Sequence, residues 1–260
     1  MQAEPRERPP VVILCGGRGT RLQEHSREVP KPLVEIGGMP IVWHVIRLYA
    51  AQGFERFLLA GGYRCELIAR FLQRERWPQR VRVELLDTGA DTPTGGRVML
   101  AARHLACERR LCVTYADGLA DIELGRLLAF HAAHGALATM TVVRPQLQFG
   151  VAQLDEHDHV TGFAEKPRSE HWINGGFFCF ERAFLQGLTP ECVLERDPLT
   201  RAAAAGELRA YRHQGFWQCM DTLKDAIALN DLWSAGAAPW RSWQEDVPAS
   251  GEAARALVAP

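Results

Sequence analysis

The succession of elements predicts an α/β fold: a Rossmann-like, mixed but mainly parallel sheet with helices on both faces. Three observations carry this. Short apolar runs such as Val11–Leu14 and Phe57–Ala60 have strand length and no polar face, as strands covered on both sides do. Helical patterns alternate with these runs, which implies βαβ units. After Phe149 the apolar runs crowd together, which predicts a β-rich segment ahead of a helical C-terminal part.

Val11–Leu14 is the first strand, and a glycine-rich turn follows it. Pro40 opens an amphipathic helix through Ile41, Val42, Val45, Ile46 and Tyr49, with Gly53 able to stop it. Phe57–Ala60 reads as strand, Glu66–Leu72 as helix and Val81–Leu86 as strand. Val98–Leu105 reads as helix and Leu111–Tyr115 as strand. Leu124–His134 is a helix ended by Gly135, and Ala138–Val143 a strand. Gly150–Leu154, Val160–Ala164 and Gly176–Phe180 form the β-rich stretch. Helices near Pro198–Ala205 and Leu223–Trp233 flank a strand at Leu208–His213.

Residues 1–10 are polar and proline-rich and read as a disordered leader, without the apolar stretch of a signal peptide. Residues 11–243 read as one domain, and 244–260, rich in Ala, Pro and Gly, as a loose tail. A formal net charge of -1 gives no reason to expect nucleic acid or an acidic membrane surface as partner. No apolar stretch approaches a membrane span. The seven cysteines form no CxxC pair and no Cys/His ligand spacing, so they read as buried free thiols in a reducing cytoplasm. His131 and His134 read as helix-face residues. Trp217, Trp233, Trp240 and Trp243 read as packing of the C-terminal segment.

The turn Cys15-Gly16-Gly17-Arg18-Gly19-Thr20-Arg21 lies at the carboxyl end of the first strand, where open α/β sheets bind ligands. Its glycines let backbone N–H groups approach phosphate oxygens, and its arginines add charge-assisted contacts. It is not a P-loop, because Thr20-Arg21 stands where Lys-Ser/Thr is required. It is not a dinucleotide fingerprint, because Leu22 occupies the third glycine. Downstream, Pro30-Lys31-Pro32 presents one lysine on a stiffened backbone.

These segments resemble the sugar-1-phosphate nucleotidyltransferases, and within them the glucose-1-phosphate cytidylyltransferases. The resemblance runs in order through Gly16–Leu22, Pro30–Gly38, Asp87-Thr88-Gly89 and Thr94-Gly95-Gly96-Arg97. It continues through Thr114–Gly118, Glu165-Lys166-Pro167 and Asn174–Phe178, then Gly215-Phe216-Trp217, Met220-Asp221-Thr222 and Ala238-Pro239-Trp240. It implies an enzyme that joins CTP and a sugar 1-phosphate, chiefly α-D-glucose 1-phosphate, into a CDP-sugar and pyrophosphate with Mg²⁺. It divides the domain into a nucleotide-binding part, 11–145, and a sugar-phosphate-binding and C-terminal part, 146–243.

The implied roles follow position by position. Leu14, Gly16, Gly17, Arg18, Gly19, Thr20, Arg21 and Lys31 would hold the triphosphate. Thr92, Gly96, Arg97 and Ala116 would lie at the nucleotide. Asp117 and Asp221 would bind the metal, and Glu165, Lys166, Asn174 and Gly175 the sugar phosphate. Arg21, Lys31 and Lys166 would act in catalysis. The chain departs from the family pattern at Ala116, where glycine is usual, and at Ala164. It is also shorter between Phe71 and Leu86, a region family members use for subunit contacts, so a homo-oligomer stays open.

The implied reaction needs no general base. A phosphate monoester is largely dianionic at pH 7, since its second pKa is about 6. The barrier is the meeting of two anions, which positioning and charge neutralisation lower. Asp117-Gly118 also reads as a turn pair and Asp221 as a helix N-cap. Other nucleotides or sugar phosphates, an NAD-dependent oxidoreductase and a non-catalytic sugar-nucleotide binder are the competing readings.

Overall fold

The computed structural model describes residues 8–17 and 29–243. Arg18, Gly19, Thr20 and Arg21, most of the expected leader and the expected tail lie outside the described residues. The body begins earlier than the expected boundary at residue 11. Arg8 lies over the Phe54 ring, and Pro10 accepts a hydrogen bond from the Cys112 amide.

The chain opens with β1 (Val11–Leu14), a 3-10 turn at Lys31–Leu33, and the small ladder β2 (Glu35–Ile36) with β3 (Met39–Pro40). Then come α1 (Ile41–Ala50), β4 (Arg56–Gly61), α2 (Cys65–Arg74), β5 (Arg82–Asp87), α3 (Thr94–His104) and β6 (Arg110–Tyr115). These are followed by β7 (Gly118–Ala120), α4 (Leu124–His134), β8 (Ala138–Val143), β9 (Val151–Leu154), β10 (Val160–Ala164) and β11 (Ile173–Glu181). The last elements are α5 (Arg182–Gln186), α6 (Asp197–Ala204), β12 (Leu208–Arg212), β13 (Trp217–Cys219) and α7 (Leu223–Ser234).

The main sheet runs β12-β8-β11-β6-β1-β4-β5. β1 pairs in parallel with β4 and β6, β4 with β5, and β8 with β12; β11 runs antiparallel to both its neighbours. The mainly parallel, mixed sheet is therefore as expected. β1 is buried throughout, and its alternate residues serve two cores. Val11 and Ile13 face α1, α2, α4 and α7, whereas Val12 and Leu14 face α3, α5 and α6. Helices thus cover both faces, which is why β1 shows no polar alternation.

The chain leaves β1 toward β4 and β5, then crosses back to β6 on the other side of β1. This reversal opens a crevice beyond the carboxyl ends of β1 and β6. Leu14 and Tyr115, the last residues of these strands, lie opposite each other. β9 and β10 form a separate hairpin. A second small ladder pairs β7 with β13, and Met220 N–H donates to Asp117 O just beyond it.

Helix α3 starts at Thr94, four residues before the expected Val98. Glycines disfavour helix, but here they admit a close neighbour. A Cβ on Gly96 would lie 2.1 Å from Pro190 O, and one on Gly95 would lie 2.3 Å from Cys192 Sγ. Seven free cysteines are present, as expected, but not all are buried: Cys107 is exposed, and Cys65 and Cys219 are intermediate.

Candidate active site

The turn after β1 is held by one arginine. Arg97 on α3 is buried, and its guanidinium ties three segments together. Nη1 donates to Gly61 O (2.7 Å) and Thr88 Oγ1 (2.6 Å), and Nη2 to Gly16 O (3.0 Å) and Ala90 O (3.1 Å). The Tyr63 amide donates to the same Gly16 carbonyl. A Cβ on Gly16 would fall 1.9 Å from Arg97 Nη1, so the turn needs glycine for close approach. Thr88 Oγ1 donates to Gly61 O and Thr92 Oγ1 to Thr88 O, each at 2.5 Å.

Around this frame lies a cavity of about 410 Å³. Leu14, Gly16, Gly17, Lys31, Thr92, Arg97, Ala116 and Asp117 are all in its wall, together with Tyr115. Gly96 is absent from it: Gly96 packs on Pro190 instead, because its helix turn lies against the 190–192 loop. Arg97 lines the cavity, yet its terminal nitrogens are engaged by protein acceptors, which makes it a brace for the wall.

Lys31 stands in the 3-10 turn between Pro30 and Pro32, where Leu33 N–H donates to Pro30 O at 2.8 Å. Its Nζ donates to Asp117 Oδ2 at 2.5 Å and Asp221 Oδ1 at 2.6 Å. Burial works against the charged ammonium, but the Asp117 charge and the hydrogen bonds to both carboxylates outweigh it, so its pKa lies above the ordinary lysine value.

Asp117 follows β6, and Asp221 precedes α7. The N-cap of α7 is Thr222, whose Oγ1 accepts from Asp225 N–H while Asp225 Oδ2 accepts from Thr222 N–H. This capping box removes the N-cap reading of Asp221. Cys219 belongs to the same cluster, since its sulfur and the two carboxylates lie within 4.8 Å of one another. Composition and spacing did not single it out. Its position two residues before Asp221 on an extended segment is the signal, because i and i+2 share a face there while Met220 points into the core.

A second cavity, about 910 Å³, lies beyond this cluster and includes Asp221, Cys219, Trp217, Gln218, Thr222 and Lys224 in its wall. Asp117 and Lys31 line the first cavity and Asp221 the second, so the Asp117–Lys31–Asp221 bridge sits where the two meet. Trp217 belongs to this wall and donates to Gly175 O at 2.8 Å. It also packs against the core that holds the C-terminal tryptophans, where Trp233 stacks with Trp240 and both Trp233 and Trp243 approach His44.

The expected sugar-phosphate residues are dispersed. Asn174 Nδ2 donates to Tyr115 OH (3.2 Å), and Tyr115 OH donates to Glu195. Gly175 and Gly176 form an irregularity in β11. At Gly176, φ is +81°, and a Cβ would lie 2.7 Å from Tyr115 Cδ2. Asn174 and Gly175 thus shape the wall from behind Tyr115 and Trp217. Glu165 and Lys166 are not brought to the cluster. They sit exposed at the end of β10, 3.6 Å apart, outside both cavity walls, because the β9–β10 hairpin stands off the main sheet.

Comparison with known proteins identifies the family. The Nucleotidyl transferase family matches residues 10–218. Glucose-1-phosphate cytidylyltransferase of Salmonella typhi is 37% identical over 256 residues, covering 90% of this chain and 99% of that protein. Probable glucose-1-phosphate cytidylyltransferase of Bacillus subtilis is 37% identical over 254 residues with the same coverage. The crystal structure of HddC from Yersinia pseudotuberculosis shares the fold, with a TM-score of 0.70 at 22% identity over 87% of this chain and 100% of that one. The chain therefore belongs to the nucleotidyl transferase family and is an enzyme of that class. No helix among the described residues is long and apolar enough to cross a membrane.

Proposed function

We propose that this chain transfers the cytidylyl group of CTP to α-D-glucose 1-phosphate, giving CDP-glucose and pyrophosphate. The observation that carries the reading is the meeting of two cavities at one pair of carboxylates. The 37% identical relatives named for this reaction support the choice of both substrates. The triphosphate occupies the cavity walled by Leu14–Gly17, Thr92 and Ala116, and the sugar phosphate the cavity beyond Asp221. A phosphate oxygen of the sugar attacks the α-phosphorus of CTP. The bond from that phosphorus to the bridging oxygen of the β-phosphate breaks, and pyrophosphate departs.

Asp117 and Asp221 fit a hard divalent cation. Both carboxylates already reach one positive centre, the Lys31 ammonium, which stands in for such an ion. Oxygen donors suit Mg²⁺, whereas the Cys219 sulfur does not. When bound, Mg²⁺ would supply charge neutralisation at the reacting phosphates. Lys31 adds a second positive charge at the same cavity wall, and the Arg97 frame fixes the distance between wall and phosphates. Arg18–Arg21 extend the triphosphate site in this reading. The unpaired thiols suit a reducing cytoplasm.

A panel of CTP, dTTP, UTP and GTP against glucose, galactose and mannose 1-phosphates, read by pyrophosphate release, tests the assignment. CTP with glucose 1-phosphate is expected to lead. Turnover with another nucleotide and none with CTP would overturn the cytidylyl reading.

A further inference from the structure

Three adjacent strand ends carry a feature that the transfer reaction does not use. In the sheet, β8 lies between β12 and β11. Arg144 follows the carboxyl end of β8, and Arg212 ends β12, its parallel neighbour. Trp172 precedes β11, which enters from the same edge because it runs antiparallel. The guanidinium carbons of Arg144 and Arg212 lie 5.8 Å and 5.5 Å from the Trp172 ring centroid. Arg168 joins them across the Gln146–Arg168 bridge.

Arg144, Arg168, Trp172, His213 and Gln214 enclose a chamber of about 280 Å³. All of these except Trp172 also line the larger cavity that ends at Asp221, so the chamber opens off it. None of Asp117, Cys219 and Asp221 lines the chamber.

The charges here are uncompensated. Elsewhere Arg56, Arg80, Arg109, Arg110 and Arg126 meet carboxylates. Among the described residues, Arg144, Arg168 and Arg212 meet none. Arg144 Nε donates to Ser169 O at 2.7 Å, and Arg168 Nη1 has a 3.4 Å contact to Gln214 O. His213, in the chamber wall, is paired with Asp121 at 3.0 Å. Two guanidinium groups, those of Arg144 and Arg168, share this concavity, a third, that of Arg212, lies against the ring of Trp172 in its wall, and the indole face offsets only part of that charge. Planar N–H forks with spare donors match a phosphate or carboxylate.

We propose that Arg144 and Arg168, in the chamber wall beside Trp172 and with Arg212 against the same ring, form an anion subsite for a phosphate or carboxylate group on a small molecule. The inference rests on reading the larger cavity as the acceptor site. The anion belongs either to a sugar phosphate bearing a second acidic group, whose first phosphate lies at Asp221, or to a separate phosphate compound bound beside the acceptor.

Calorimetric titration of the full chain with glucose 1-phosphate, glucose 1,6-bisphosphate and inorganic phosphate tests this without requiring turnover. If the anion is carried on the acceptor, the bisphosphate binds about tenfold more tightly than glucose 1-phosphate. Arg144→Gln/Arg168→Gln then brings that ratio near one. If the anion is separate, the ratio is near one from the start. Inorganic phosphate then binds the chain saturated with glucose 1-phosphate, and the double variant loses this binding. The subsite is overturned if neither ratio nor phosphate binding appears, or if both survive in the double variant. Arg168→Gln alone, at an exposed position in the chamber wall, repeats the test if the double variant does not fold. Failure to use CTP while the bisphosphate ratio responds to the arginines would refute the cytidylyl reading and leave the subsite standing.

Discussion

The two cavities share a border at Asp117 and Asp221 but are built in opposite ways. The nucleotide side rests on β1, buried at every position, and on backbone carbonyls of Gly16, Gly61 and Ala90 drawn together by one buried guanidinium. The side proposed for the acceptor adjoins a hairpin in which β9 is exposed throughout, and its wall includes Gln, Arg, Lys and Trp side chains. A frame of backbone acceptors cannot change shape without breaking several hydrogen bonds at once. A wall of exposed side chains can change by single substitutions. The first side is thereby suited to fix where the α-phosphorus sits, and the second to select which acceptor reaches it.

The border itself should show the largest effect. Asp117→Asn keeps the shape of the side chain and removes one of the two charges proposed to hold the cation. Turnover is expected to fall by about 10²–10³-fold with the circular dichroism spectrum unchanged. A rate near that of the parent would mean that the two cavities do not react at this border.

Arg97→Lys is the next test, aimed at the nucleotide frame. A lysine ammonium cannot reproduce a fork that serves Gly16, Gly61, Thr88 and Ala90 together. Losing this buried network should cost about 3 kcal/mol of stability and raise the KM for CTP more than that for glucose 1-phosphate. Equal rises in both would show that Arg97 supports the whole body and not one side of it.

The nucleotide side was also the more legible in the sequence. Continuous apolar runs mark strands covered on both faces, so β1, β4 and β6 announce themselves. The ladder β2–β3, the strands β7 and β13 and the short α5 are too brief to carry a period. Asp117 and Asp221 could be chosen from the ordered motifs, but Cys219 and Tyr115 could not, because their proximity depends on the β7–β13 ladder and on the β11 irregularity. The arginine cluster around Trp172 was invisible for the same reason. It is assembled from the ends of three strands whose order in the sheet no local pattern records. Lys166 shows the converse: its motif was clear, and the fold leaves it outside both cavity walls.

The halves are also joined behind the site, where His44 of α1 lies among Trp233, Trp240 and Trp243 of the C-terminal segment. His44 Nε2 lies 2.8 Å from Ile36 O, a contact that requires the Nε2–H tautomer. Burial lowers its pKa from 6.5 to about 4. The unfolded chain therefore takes up this proton at higher pH than the folded chain does, and stability falls as pH drops from 6.5 toward 4. The full shift corresponds to about 3 kcal/mol. Thermal unfolding followed across this window should lose part of its slope in His44→Gln, with the loss read from C-terminal tryptophan fluorescence. An unchanged slope would place the acid sensitivity elsewhere, His131 on α4 being the other buried histidine with a lowered pKa among the described residues.

Lys166→Ala probes the acceptor side and carries the smallest expected effect. With Lys166 half-exposed and, among the described residues, paired only with its neighbour Glu165, its ammonium reaches a sugar phosphate only if the β9–β10 hairpin moves inward. The exposed faces of that hairpin, with Phe163 at 67% and Leu154 at 59%, have no dense packing to hold it in place. The KM for glucose 1-phosphate should rise about tenfold, with that for CTP unchanged, as one charge-assisted contact is lost. Equal rises would place Lys166 at the border with Asp117. No change in either would keep the hairpin off the site, leaving acceptor selection to the side chains that already line the larger cavity.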